Sequence, residues 1–402
     1  MSQEILKAYK YRLYPNVGQK IFLAKTFGCG RFLWNQRVDQ FNKNDGSKEP
    51  TIKELKQKYE WLGEVPYDAL MNKNHDWIGF KSQFFNKKRK KKLGRPNFKK
   101  RGGRESFRLC SFPNQVRKLK FLEINQIKLP KMSPVKIKID RKFVGEIRSV
   151  TISKTSSNQY FISILVKEKV QLKKSTGKSI GIDLGIKDLI TLSNGFKIEN
   201  PKWFRENQAE LKKAQQHLSR KKKGSKRREK QRLKVTKIHQ KITNQRQWFH
   251  HNISKWLVDN YDLIFTEDLN IEGMMKNHNL SKSISDASWS TLVSMIEYKS
   301  NWSGRTHHKI DRWFPSSKTC SCCGHKMESM DLSIRNWTCP SCQTKHDRDM
   351  NAANNILNKG LMDLYSFTSE ECPDHSCGEE ISLDGIHPII ASSMRRLETV
   401  DV

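Results

Sequence analysis

The segment CSCCGHKMESMDLSIRNWTCPSCQTKHDRDMNAANNIL, residues 320–357, carries the residue types most able to do chemistry. Cys320 and Cys323 form one Cys-x-x-Cys pair and Cys339 and Cys342 a second, with fifteen residues between the pairs. Four thiolates at this spacing close a tetrahedral zinc ribbon, so one structural Zn²⁺ is expected. Cys322 is an extra cysteine inside the first pair. Pairing it with Cys320 would leave a single residue between ligands, so Cys323 is the expected ligand. Asp349 follows at a helix start, with Ala353 and Ile356 four and seven residues later on the same helical face. A carboxylate on an apolar face is costly unless it is paired or binds a cation.

Two further acids stand in comparable settings. Asp183 lies inside the apolar run SIGIDLGI, between Gly181 and Gly185, where glycines permit another backbone or a phosphate to approach. Glu267 ends YDLIFTE, a strand apolar on both faces, and in mostly parallel sheets ligands gather at the carboxyl ends of strands. Hard cations such as Mg²⁺ take oxygen ligands of this kind. Two Mg²⁺ ions ~4 Å apart would activate water and stabilise the leaving oxygen of a phosphodiester. Strand, strand, helix start is the arrangement of RNase H-like nucleases. Asp188, Asp268 and Asp347 serve as contrasts: one solvated near a turn, one on the opposite strand face, one facing away or capping the helix.

The elements that must position these acids are readable in outline. Residues 5–14 form a strand ending at Pro15, then a helix with Ile21, Leu23, Phe27, Phe32 and Leu33 toward the core. A second helical region spans 51–92, and 93–103 is a Gly/Pro loop. Strands occupy 106–170, with a hairpin turn near Ser157-Asn158, as a small β-barrel or sandwich. Residues 179–195 are two strands and a tight turn. A long helical hairpin covers 204–259, turning at Gly224-Ser225, with Val235, Ile238, Ile242, Phe249, Ile253 and Trp256 on its apolar face. After the strand at 261–269 come a polar stretch, a helix at 289–301 and the strand THHKIDRWF. Trp289, Trp302, Trp313 and Trp337 are expected to pack in the core or the ribbon.

The 402 residues suffice for two or more domains. A net charge of +35, from 76 Lys and Arg against 41 Asp and Glu, calls for a polyanionic partner, nucleic acid first. No run approaches the ~18 apolar residues of a membrane span, so no membrane role is expected. Nine cysteines, four of them in the ribbon, suit a reducing cytoplasm, with Cys372 and Cys377 idle in the tail. Two basic blocks lack acidic partners for intrahelical pairing and are assigned to phosphate contact. One contains Lys87, Lys88, Arg89 and Lys90, with Arg95, Lys99 and Lys100 in the loop beyond. The other contains Arg220, Lys221, Lys222, Lys226, Arg227 and Arg228. The segment after 360 is acidic and expected to be mobile.

In order along the chain, KAYKYRLYPNVGQK, the loop Gly94-Arg95-Pro96-Asn97-Phe98-Lys99, GIDLGIKDLITLSNG, TEDLNIEGM, YKSNWSGRTHHKIDRWFPSSKTCSCCG and HDRDMNAANNIL resemble the TnpB family. These are transposon-encoded OrfB proteins regarded as ancestors of type V CRISPR nucleases. The resemblance covers residues 1–360. It implies a multidomain α/β protein: an RNase H-like (RuvC) domain with an inserted zinc ribbon, and an N-terminal wedge β-barrel with a helical recognition insertion. The corresponding ranges are 1–14 and 106–172 for the barrel and 15–105 for the recognition domain. The nuclease domain takes 173–315 and 346–360, the ribbon 316–345, and the tail 361–402. The family's catalytic acids fall on Asp183, Glu267 and Asp349. The implied activity is RNA-guided, metal-dependent DNA cleavage in a prokaryotic cytoplasm. Its implied partners are a guide RNA from the transposon end and target double-stranded DNA, held by a monomer with one RNA. A DNA transposase acting on transposon ends and a non-cleaving regulator are the alternatives.

Overall fold

The computed structural model describes residues 2–43, 49–89, 92–103, 105–110, 120–122, 125–331 and 333–370. Lys90, Cys372, Cys377 and the tail beyond residue 370 lie outside the described residues. The chain divides into two compact units, residues 4–169 and residues 170 onward with the first three residues.

The first unit opens with β1 (Ser2–Tyr14), whose alternating Tyr9, Tyr11 and Leu13 are buried. Pro15 ends the strand, and α1 (Val17–Lys43), α2 (Ile52–Lys58) and α3 (Tyr67–Phe85) follow. Thr51 and Glu54 form a capping box at the start of α2. The second helical region therefore ends at Phe85, short of the basic block; 86–89 and 92 onward are irregular. Strands β2 (Glu105–Cys110), β3 (Lys120–Leu122), β4 (Gln126–Lys128), β5 (Val135–Lys138), β6 (Glu146–Lys154) and β7 (Tyr160–Gln171) then complete a seven-stranded sheet. Its order is β2-β6-β7-β1-β5-β4-β3. Asn158, at φ +61°, turns the β6–β7 hairpin where the sequence placed it. Leu23 and Phe27 of α1 pack into the sheet's core, but Ile21 is 56% exposed. A helical face is wide enough that spacing alone left Ile21 on the wrong side of its edge.

The second unit is built on a five-stranded sheet. Its strands are β8 (Ser179–Asp183), β9 (Asp188–Leu192), β10 (Lys197–Glu199), β11 (Leu263–Glu267) and β12 (Thr306–Ile310), ordered β10-β9-β8-β11-β12. Strands β8, β11 and β12 run parallel; β9 runs antiparallel to β8, and β10 reverses again beside β9. Between β10 and β11 stand α4 (Trp203–Glu206), α5 (Gln208–Ser219) and α6 (Lys226–Asn260). Between β11 and β12 stand α7 (Ile271–Met274), α8 (His278–Ala287) and α9 (Trp289–Ser303). The polar Ser/Asn stretch thus contains a helix, α8, seated by buried Ile284 and Ala287. The strand pair β13 (Asn336–Thr338) and β14 (Lys345–Asp347) leads directly into α10 (Arg348–Glu370). That helix carries ten residues of the segment assigned to the tail.

Helix α10 reaches the sheet because two glycines remove side chains from the contact. A Cβ on Gly181 would lie 2.1 Å from the Ala353 carbonyl oxygen and 2.6 Å from the Leu357 nitrogen. A Cβ on Gly360 would lie 2.1 Å from the Phe265 ring. The close approach inferred for Gly181 is therefore that of a helix backbone. Gly181→Val should push α10 off β8, costing about 1–3 kcal/mol by overpacking. Because α10 carries Asp349, any activity that needs the acids together should fall on the order of 10²-fold. Thermal melting beside a cleavage assay checks both, and wild-type cleavage by this variant would refute the packing account.

At the opposite end of β11, Asp262 is fully buried and ion-paired with Arg305. Its Oδ2 also accepts from the backbone of Thr176 (2.7 Å) and Gly177 (2.9 Å), fastening the 173–178 segment to the sheet.

Candidate active site and metal centre

Asp183 ends β8 and Glu267 ends β11, its parallel neighbour, in which Thr266 is in register with Ile182. The two carboxylates therefore leave the sheet side by side at its carboxyl edge. Asp349 stands in the first turn of α10, the helix that Gly181 admits against β8. Burial pushes the Asp183 carboxyl up to about 8, and the negative charges of Glu267 and Asp349 add to the rise. Burial also raises Glu267, opposed by a hydrogen bond that the Ser316 hydroxyl donates to its Oε1. Asp183 thus lies within reach of the charges of two acids far from it in sequence.

The contrasting acids have other partners. Asp347 accepts from the Met350 amide at 2.9 Å as the cap of α10 and meets Lys197 at 2.7 Å. Asp268 is paired with Arg312. Asp349 itself is 22% exposed, one and two turns before the fully buried Ala353 and Ile356, so it stands at the rim of the core. The guanidinium of Arg335, on the turn before β13, lies 3.2 and 3.4 Å from its two oxygens. Among the described residues the carboxylates do not close into a set with oxygens within 4.8 Å of one another.

The cysteines do close. Cys320, Cys323, Cys339 and Cys342 bring their sulfurs within 4.8 Å of one another and could hold a metal ion. Cys320 lies 3.6 Å from Cys342, and Cys323 lies 3.6 Å from Cys339. Cys322 is exposed and outside the cluster. His346 Nε2 is 3.0 Å from Cys320 Sγ, and its ring packs at a tilt against Trp337, centroids 4.8 Å apart. Burial raises the Cys320 thiol to about 12, whereas hydrogen bonding to Thr344 lowers Cys342 to about 6.

Two asparagines join the cysteine module to α10. Asn351 bonds the Ser321 amide (2.8 Å) and the Thr319 carbonyl (2.7 Å). Asn355 donates to the carbonyls of Ser316 (2.7 Å) and Thr319 (2.6 Å). Both are buried. Neither they nor Arg335 and Ser316 stood out in the sequence. The signal was present for the asparagines: a poor helix former repeated at i and i+4 on a buried face needs side-chain partners.

Of the basic residues, Lys87, Lys88, Arg89, Arg95, Lys100, Arg220, Lys221, Lys222, Lys226 and Arg227 are exposed. Arg228 is partly withdrawn and donates to the carbonyls of Leu218 (2.8 Å) and Lys221 (3.0 Å), closing the α5–α6 turn. Lys99 sits 3.8 Å above the Trp34 ring, and partial burial together with nearby Lys73 depresses its ammonium to about 8. Asn35 holds the loop there by bonds to the Lys99 amide (2.7 Å) and carbonyl (3.1 Å). No helix among the described residues is long and apolar enough to cross a membrane.

Of the four tryptophans expected to pack, Trp289 is buried, Trp302 packs at a tilt against Tyr298 and Trp337 at a tilt against His346. Trp313 is 85% exposed, contrary to expectation. Trp256 of α6 is also 38% exposed, at the edge of the face that buries Ile238, Ile242 and Ile253.

Residues 162–278 match the family model OrfB_IS605, described as "Probable transposase". Residues 289–356 match a Cas12f1-like TNB domain, and residues 1–43 match a helix-turn-helix model. In this chain the last segment is one strand and one long helix. A protein of Streptomyces pristinaespiralis named "Putative RNA-guided DNA endonuclease" is 37% identical over 377 residues, 90% of this chain and 91% of that protein. InsQ of Escherichia coli K12, given the same description, is 29% identical, over 88% of this chain and 92% of its own. In solved structures, the α/β fold resembles a chain from a Cas12f1–sgRNA–target DNA complex. The TM-score is 0.51 at 14% identity, over 88% of this chain and 99% of that one.

Proposed function

The chain belongs to the TnpB family, and on that premise we propose that it is an RNA-guided DNA endonuclease acting through Asp183, Glu267 and Asp349. The observation that carries the reading is the placement of Asp183 and Glu267 at the carboxyl ends of adjacent parallel strands, with the Asp183 carboxyl raised by burial and by the charges of Glu267 and Asp349. The unit from residue 170 onward is read as an RNase H-like nuclease domain. The seven-stranded sheet with its helices α1–α3 is read as a wedge barrel with a recognition insertion. The partners are a guide RNA from the transposon end and target double-stranded DNA.

The donor set suits Mg²⁺: three carboxylates, two of them pushed toward protonation by burial, gain by sharing hard divalent cations. Such cations, when bound, supply Lewis-acid activation of water and of the leaving oxygen. The chain's own part is positional. Adjacent parallel strands fix Asp183 and Glu267, Ser316 orients the Glu267 carboxylate, and the cysteine module with Asn351 and Asn355 fixes the helix carrying Asp349. Arg335 pairs with Asp349, one of the carboxylates that would hold such a cation. The cysteine cluster suits one structural Zn²⁺: bonds of about 2.3 Å in a tetrahedron place sulfurs ~3.8 Å apart, close to the 3.6 Å spacings. His346 beside Cys320 would orient that thiolate, as outer partners of metal ligands do. The exposed lysines and arginines would contact phosphates, giving affinity and salt dependence while base pairing supplies sequence choice.

Protein purified from its host should carry a defined RNA ending in a variable guide segment, identified by sequencing. RNA-free protein that joins transposon ends would favour the transposase reading, to which the description of the matched family model points.

A further inference from the structure

After β12 the chain turns past the acids on a loop fixed at nearly every residue. Ile310 is buried and lies in register beside Glu267. Arg312 donates from Nε to the Asp268 carbonyl at 2.9 Å and pairs with the Asp268 carboxylate. Phe314 packs against the core formed by Phe265 and Ile356. Ser316 bonds Glu267 itself. The amides of Trp313 and Phe314 both donate to Asp311. In the middle of this pinned turn, three residues past the neighbour of Glu267, the Trp313 indole is 85% exposed.

A single exposed apolar side chain is ordinary. Trp313 differs in being the largest side chain type, held on a loop with little freedom left to lose, at the edge where the acids emerge. Its chain neighbours Asp311 and Arg312 are exposed and charged, a setting unlike the apolar patch that a protein partner would bury. A nucleobase needs only an aromatic face of this kind and stacks on it with little regard to sequence. The +35 net charge already favours nucleic acid as the occupant.

We propose that Trp313 is a base-stacking platform that holds a nucleotide of the single strand entering the Asp183–Glu267–Asp349 site and so registers the scissile phosphate. The inference rests on the endonuclease reading. It makes Trp313 a substrate-binding residue with no part in bond making.

The test is single-turnover cleavage by the guide-loaded protein with wild type, Trp313→Ala and Trp313→Phe. The expected result is a fall on the order of 5- to 100-fold for Trp313→Ala, with Trp313→Phe near wild type and guide-RNA binding and melting temperature unchanged. Abasic substitution scanned through the target should find one position that slows wild type by a similar factor and adds nothing in Trp313→Ala. Wild-type cleavage with Trp313→Ala within about two-fold of it, or with fully additive abasic effects, overturns the inference and leaves the endonuclease reading intact. A change of oligomeric state in Trp313→Ala, with cleavage preserved, assigns the indole to a second copy and also overturns it. Failure of guide-loaded wild type to cut any matched target overturns both.

Discussion

Replacing Asp183 by asparagine should abolish DNA cleavage, by at least on the order of 10³-fold, while guide-RNA binding survives. The same change should make the metal-free protein more stable at alkaline pH. In the folded chain the Asp183 carboxyl is pushed up to about 8 by burial and by its acidic neighbours. In the unfolded chain it titrates near ~3.9. A raised carboxyl favours folding fully below the unfolded value, and that contribution is lost as pH rises from about 4 to about 8. Asparagine removes this slope. The gain in melting temperature of Asp183→Asn over wild type, measured in chelator, should therefore be larger at pH 8.5 than at pH 5. Adding Mg²⁺ at pH 8.5 should then stabilise wild type and leave the variant unmoved. Undiminished cutting by the variant, or a gain that shrinks with pH, would contradict the assignment.

Much of this centre could be read from the chain because the periods are local. Two short apolar strands each ending in an acid, and a helix whose apolar face begins with one, need only a strand and a helix to state the geometry. The structure adds the neighbours. Asp262 immediately precedes β11 and Glu267 ends it, and from sequence the two look alike. The fully buried one is a structural ion pair with Arg305, and the partly exposed one lies at the candidate site. Nothing local in the sequence names Arg305, because the contact spans the whole α7–α9 crossover. Arg335 escaped notice for the same reason: it looks like one more surface cation until the β13–β14 pair folds it onto Asp349. Trp313 runs against the habit of its residue type. An indole usually packs, and only the pinned turn, invisible in composition, holds this one outward. Arg228 shows the reverse error, since a basic run tells nothing about which member closes the turn.

The second large effect concerns the cysteine module. Cys339→Ala should release the bound metal, collapse the module and cut cleavage on the order of 10²-fold or more, though no cysteine lies among the acids. The path is short and physical. Cys339 is fully buried in the four-sulfur cluster. In a two-stranded module with so small a core, metal binding free energy is folding free energy. Its loss frees Thr319 and Ser321, the partners of Asn351 and Asn355, and unseats β14, which runs without a break into α10. Asp349, in the first turn of that helix, then loses its fixed place. Cys322→Ala is the matched control: the residue is one position from a cluster member but exposed and outside it. It should retain metal stoichiometry and cut within about two-fold of wild type, as surface substitutions usually do. Metal content by mass spectrometry beside cleavage rate separates the two. Loss of metal in Cys339→Ala with full activity would mean that Asn351, Asn355 and the Gly181 contact hold Asp349 without help from the module.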